Sequence, residues 1–255
     1  MEKTAPLYIY ISLITSFSMA LTMLVLNKKF LKDIASHAGK LFSLTGVIII
    51  IILEHRLPLF GSFESVLYIS FILSIFESFP EKELSASREK SISIHLYIMI
   101  LIILLFQINK PMEFNHDFFM YGNIWVNVFF NLRLTAAAFF IYAAILFCNG
   151  AWNSSSNSRA EKDYLMRKGR NLLLTGVTIY LASEWAGSIW CLDWLGDSWR
   201  WSKGFFKASI VFLLVMTSLH LPPFLRHPFF KHGETTKAIF GSLPGIFMLW
   251  MIFHH

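Results

Sequence analysis

Residues 7–26 read LYIYISLITSFSMALTMLVL, an apolar segment without a charged side chain. A helix rises about 1.5 Å per residue, so about twenty such residues cross the roughly 30 Å hydrocarbon core of a bilayer. The segment is longer than the apolar core of a signal peptide, and Asn27-Lys28-Lys29 follows it without a small-x-small cleavage site. This stretch therefore predicts a retained membrane-spanning helix.

The composition of the whole chain extends this interpretation. Of its 255 residues, 55% are hydrophobic and 15% are charged, and the mean hydropathy is +0.56. A soluble domain of this size rarely reaches such values. We predict an all-α, polytopic membrane protein that forms one transmembrane helical domain over residues 1–255 and lies in a lipid bilayer.

The apolar blocks predict eight spans, with bounds accurate to a few residues. They cover residues 7–26, 35–53, 59–77, 92–108, 123–148, 171–187, 203–222 and 238–254. The second block contains Lys40, whose ammonium group must reach the interface along its flexible stem.

Basic residues mark the connections after the first, third, fifth and seventh spans. They are Lys28, Lys29, Lys32, Lys82, Arg88, Lys90, Arg159, Lys162, Arg167, Lys168, Arg170, Arg226, Lys231 and Lys237. The positive-inside rule makes these four connections cytoplasmic, so both termini are expected on the outer side. The formal charge of +6 then reports topology, and we expect no nucleic-acid partner.

The cysteines exclude two classes of protein. Cys148 and Cys191 are predicted on opposite sides of the membrane, where they cannot pair. The chain contains neither CxxC nor CxxCH, which argues against a thiol oxidoreductase and against a c-type cytochrome.

Five of the eight tryptophans lie between two apolar blocks, in residues 183–201, which read SEWAGSIWCLDWLGDSWRW. Tryptophan favours membrane interfaces, and an interfacial belt would explain two or three of the five. We predict an outer loop at about residues 183–202 that offers a flat aromatic ligand a surface, with Gly187 and Gly196 allowing close approach of the backbone. An interfacial belt is the alternative.

The spacing Gly-Ser-x-Trp-x-x-Asp, followed closely by another Trp, resembles the tryptophan-rich (WWD) signature of haem-handling proteins. These are the CcsA/ResC, CcmC and CcmF proteins of cytochrome c maturation. The matching positions are Glu184, Gly187, Ser188, Trp190, Asp193 and Trp199. Trp185 is displaced by one place, and Leu192 stands where the family has its second Trp. The haem-binding stretch that the resemblance implies comprises Glu184, Trp185, Gly187, Ser188, Trp190, Asp193, Trp194, Asp197, Trp199 and Trp201.

A second segment, residues 56–65, resembles the family's Pro-Leu-Ser-Asn-Leu-Tyr-Glu-Ser near an early outer loop. Pro58, Leu59, Glu64 and Ser65 match it. The two resemblances occur in the family's order along the chain.

The resemblance also implies ligands for haem iron, which imidazole commonly holds. His220 follows the Trp-rich stretch at the spacing of the family's intramembrane His, although a helix-end His at the cytosolic interface is the alternative. His254 and His255 end the chain where the family has an outer His, and a truncated tag is their alternative. The family's outer His in the fifth span is missing, and His116 could replace it.

Arg56 and Arg133 are candidate partners of the haem propionates, because a guanidinium pairs well with carboxylates. Snorkelling, or an Asp or Glu partner within the protein, is the alternative for each.

The resemblance implies a protein of the bacterial inner membrane that handles haem b in cytochrome c maturation. Its Trp-rich loop would present haem on the periplasmic face to a CxxCH apocytochrome, beside a CcsB/ResB-like membrane partner. It implies a part in a cytochrome c haem lyase, with no certain catalytic residue and no metal besides haem iron. A haem exporter or chaperone without ligation activity, and a haem-b or structural subunit of a membrane oxidoreductase, are the alternatives.

Overall fold

The computed structural model describes residues 5–58, 61–79, 83–112, 123–152, 159–196, 203–221 and 233–254. Within these ranges the chain forms eight α-helices. They are α1 (Ala5–Val25), α2 (Lys29–Glu54), α3 (Ser62–Phe76), α4 (Ala86–Leu105), α5 (Ile124–Trp152), α6 (Arg159–Leu195), α7 (Lys203–His220) and α8 (Gly233–Phe253). The prediction of an all-α chain is confirmed over the described residues. By length and composition α1, α2, α5, α6 and α8 are able to cross a bilayer, as in a multi-pass membrane protein.

Contacts at both ends of the bundle show that α4 runs antiparallel to α1 and to α5. The Tyr10 hydroxyl near the start of α1 donates a 2.8 Å hydrogen bond to the Leu104 carbonyl at the end of α4. The Ser91 hydroxyl near the start of α4 donates a 2.8 Å bond to Asn149 near the end of α5. We call the end where α5 begins and α6 finishes the Trp-rich end, and the opposite one, where α5 finishes and α6 begins, the basic end.

Helix α5 lies at the centre of the bundle, in contact with α3, α4, α6 and α8. Its phenylalanine rings pack directly on glycines of its neighbours. A Cβ added to Gly176 of α6 would lie 2.7 Å from Phe140 Cε1, and one added to Gly241 of α8 would clash with the Phe147 ring. Small residues let helices approach closely in membranes, so these contacts set how α6 and α8 seat on α5.

At the basic end Glu77, just after α3, ties α3 to α2. Its carboxylate oxygens lie 2.6 Å from Lys32 Nζ and 2.5 Å from Lys40 Nζ, and the Ser36 hydroxyl donates to it at 2.9 Å. Burial opposes ionisation of Glu77, but the hydrogen bonds and charges of the two lysines outweigh it and hold the pKa below its usual value. Lys40, expected to snorkel, has a carboxylate partner.

Helix α6 differs most from the sequence prediction. It covers 37 residues, about 55 Å at 1.5 Å per residue, and therefore exceeds the predicted span 171–187 at both ends. Residues 183–195 are helical, not part of a loop, because no proline interrupts them and Gly187 is accommodated inside the helix. The helix ends before Gly196, whose φ of 67° is the left-handed conformation typical of a C-terminal cap.

Candidate functional site at the Trp-rich end of α5 and α6

Gly187 lies in the last turns of α6, where the helix packs closely on α5. A Cβ at this position would lie 2.7 Å from Phe129 Cδ2. The space beside Gly187 is thus filled by an aromatic ring of the protein itself. Close approach of the backbone is needed here, as the sequence suggested, and it allows α6 to pack on α5. Gly196 has open space around the position of a Cβ.

Four aromatic residues of α5 and α6 meet at this end. The Trp190 ring lies 6.2 Å from that of Phe129, and the Trp125 and Trp185 rings meet edge to face at 5.5 Å. Trp190 is half-buried, and its indole Nε1 has no hydrogen-bond partner among the described residues. Trp185 is 63% exposed. Trp190 and Trp185 of α6 thus both contact α5, Trp190 from a half-buried position and Trp185 from an exposed one.

Arg133 and Glu184 form the polar centre of this end. Arg133 Nη2 lies 3.1 Å from Glu184 Oε1 and donates a 3.2 Å hydrogen bond to the Tyr180 hydroxyl. The Arg133 guanidinium also lies 4.9 Å from the centre of the Phe129 ring, within the range of a cation–π contact. The two side chains are 15% and 14% exposed, so the pair is largely withdrawn from solvent.

Arg56, the other candidate for a propionate, has a carboxylate partner too. Its Nη1 and Nη2 donate to the two carboxylate oxygens of Glu64 at 2.6 and 2.7 Å. The side chains of this pair are only 3% and 1% exposed. Both arginines therefore have a carboxylate partner within the protein, which was the alternative to a haem propionate.

The remaining predicted residues of the Trp-rich stretch divide into two groups. Ser188 is half-buried, while Asp193 and Trp194 are exposed on the last turns of α6, Trp194 by 43%. The other residues predicted for the site lie outside the described residues. They are Asp197, Trp199, Trp201, His116 and His255.

The two described histidine candidates lie at opposite ends of the bundle. His220 is exposed at the end of α7, at the basic end, with Nδ1 2.8 Å from the Met216 carbonyl. His254 follows α8 at the Trp-rich end and stacks on Trp250 with ring centres 5.3 Å apart. No group of three His, Cys, Asp or Glu side chains suited to a metal ion occurs among the described residues.

A cavity at the Trp-rich end was not predicted. It has a volume of about 560 Å³ and lies between α3, α5, α8 and the segment after α4. Its lining comprises Gly61, Ser62, Ser65, Lys110, Pro111, Phe130, Arg133, Leu134, Met248, Met251 and Ile252. One feature of the sequence pointed to this cavity. Lys110, followed by Pro111, is a single cation directly after an apolar block, and it lies on the side of the bundle opposite the basic connections.

Arg133 connects the cavity with the Trp-rich stretch, because it lines the cavity and also pairs with Glu184 of α6.

No protein-family model matches the chain, and no curated protein or solved structure matches it either.

Proposed function

We propose that this protein handles haem in cytochrome c maturation and presents it at the Trp-rich end to an apocytochrome. The observation that carries the proposal is the position of Glu184 and Trp190, two residues of the WWD-like pattern. Both pack against α5, and Arg133, the partner of Glu184, lines a cavity large enough for a cofactor-sized molecule, since such sites span roughly 300–1,000 Å³.

The proposal includes a topology in which all eight helices cross the inner membrane of a bacterium. The Trp-rich end faces the periplasm and the basic end faces the cytoplasm. The distribution of lysine and arginine supports this orientation, because the basic connections lie at one end of an alternating bundle. Both termini are then periplasmic.

Haem is the cargo in this proposal, and the chain contributes surfaces and ligands. Exposed Trp185 offers an apolar plane, and thiols of the CxxCH motif would meet the haem vinyl groups there. His220 is the proposed ligand near the cytoplasmic side. There a hydrogen bond from its Nδ1–H to the Met216 carbonyl would leave Nε2 free to bind iron. A CcsB/ResB-like partner would supply the ligands that this chain lacks.

A haem exporter or chaperone without ligation activity is the second candidate. It is favoured by the first turns of α5, which read IWVNVFFNLR and contain no histidine where the resembled family has an outer ligand. A haem-b electron-transfer subunit is disfavoured, because such subunits place histidines in pairs on facing helices. His220 and His254 lie at opposite ends of the bundle.

The test is the absorption spectrum of detergent-purified protein from haem-replete cells. We expect a Soret band in the wild type that weakens in His220→Gly and in Trp190→Ala/Asp193→Ala. Matched controls are His95→Gly, an exposed helical histidine with the same contact to the carbonyl four residues earlier, and Tyr8→Ala, an exposed aromatic at the Trp-rich end. Both should keep the band.

A wild type that stays colourless, even when produced with a CcsB/ResB-like partner, would refute the proposal. Thioether formation on a supplied CxxCH peptide separates ligation from transport alone. Haem that binds without forming a thioether identifies the exporter or chaperone.

A further inference from the structure

The cavity at the Trp-rich end combines apolar walls with two cationic groups. Phe130, Leu134, Met248 and Met251 form much of the wall, and both methionines are almost completely buried. Methionine side chains are flexible and polarisable and adapt to an irregular apolar surface. The walls therefore suit the body of a large apolar molecule.

Lys110 is one cation of the cavity. Its Nζ donates to the Phe253 carbonyl and lies 5.2 Å from the centre of the Phe253 ring. Among the described residues no carboxylate pairs with Lys110. A half-buried ammonium beside apolar side chains is costly without a counter-charge, so the cavity favours an anionic ligand.

Arg133 is the second cation, and it keeps hydrogen-bonding capacity. Nη2 contacts Glu184 and Tyr180, whereas Nε is buried with no hydrogen-bond partner among the described residues. A guanidinium offers five donors, so it is able to hold Glu184 and a second acid together. The cavity thus has two places for acidic groups around an apolar body.

We propose that this cavity binds a porphyrin dicarboxylate, with one acid at Lys110 and the other at Arg133. This rests on the proposed function, from which the porphyrin is taken, and it adds a binding site in the cavity to the exposed Trp surface at which haem is presented. Lys110 then determines specificity for the acid groups, and the side chains of α5 and α8 accept the ring.

The experiment uses full-length protein purified in detergent from haem-deficient cells. It is titrated with iron-free protoporphyrin IX and, separately, with its dimethyl ester, and porphyrin fluorescence reports binding. The variants are Lys110→Gln, which removes the Lys110 charge, and Ile252→Trp, which fills the cavity. Lys207→Gln is the matched control, since Lys207 lies 5.3 Å over Trp250 at the same end but does not line the cavity.

We expect the diacid to bind at least tenfold more tightly than the ester, and Lys110→Gln to remove most of that preference. Ile252→Trp should weaken both ligands at least tenfold, while Lys207→Gln should match the wild type. Lys110 lies outside the helices, so its variant remains informative if Ile252→Trp fails to fold.

Equal affinity of wild type for the diacid and the ester would overturn the inference. So would porphyrin affinities in Lys110→Gln and Ile252→Trp that equal those of wild type. If porphyrin binding survives in both but is lost in Trp190→Ala/Asp193→Ala, the ligand sits on the Trp-rich surface. The proposed function then stands without the cavity. A cavity that binds oleate but no porphyrin also overturns the inference.

Discussion

Replacing Glu184 by Gln should destabilise the protein, because it leaves the Arg133 charge largely buried without its carboxylate. Glutamine has nearly the same shape, so the change tests charge and not packing. The two side chains are 14% and 15% exposed, which places the pair between a surface and a fully buried salt bridge.

The magnitude follows from what remains around Arg133. Removing one partner of a buried pair costs about 3–5 kcal/mol. The loss should lie at or below the low end of this range, because the pair keeps some access to solvent and Arg133 retains the Tyr180 hydroxyl and the Phe129 ring around its charge. We therefore expect a loss of about 2–3 kcal/mol, or a fall in Tm of about 5–10 °C for a chain of this size.

The assay is thermal unfolding in detergent of Glu184→Gln, Arg133→Gln and the double variant. The double variant should recover part of the loss, because it removes both charges from the interior. Asp193→Asn is the matched control, since Asp193 is exposed on the same helix, and it should change stability by less than about 0.5 kcal/mol. If Glu184→Gln is as stable as this control, the pair contributes nothing to the fold and the argument fails.

Two further predictions concern packing and pH. Gly187→Leu should lower the free energy of unfolding by about 1–3 kcal/mol, because the larger side chain overpacks against Phe129. Adding Phe129→Ala should restore part of that stability, and Tm measures both effects. Loss of stability with acid should depend on Glu77, whose pKa the lysines lower. Its contribution is complete above the unfolded-state value near 4.5 and disappears as the pH falls through the lower folded-state pKa. Tm measured between neutral pH and about pH 3 should fall less steeply in Glu77→Gln than in wild type; parallel curves would contradict this.

Residue patterns along the chain were sufficient to predict the helices. Each predicted span overlaps one helix, because a long apolar block has few ways to satisfy its backbone other than as a helix. Helix ends were harder to predict. The aromatic and polar residues 183–195 were interpreted as a loop, yet α6 continues to Leu195 because Gly187 packs on Phe129 and the stretch contains no helix breaker.

The partners of the charged residues depended on the tertiary structure. Arg133 was recognised as a cation inside an apolar block, but Glu184 comes next to it only when α5 and α6 pack antiparallel. The hydropathy pattern indicates that a buried cation needs a counter-charge, but it does not identify the residue that supplies it.

The sequence by itself determined an all-α chain with eight helices over the described residues, the concentration of basic residues at alternate connections, and the aromatic character of one stretch. These are properties of single segments, governed by local composition. Only the tertiary structure decided that Gly187 serves packing, that both candidate arginines hold carboxylates, and that Lys110 and Arg133 share a cavity. Each of these is a contact between segments that are distant in the chain. Such contacts depend on how the helices pack against one another, and the composition of a single segment does not predict them.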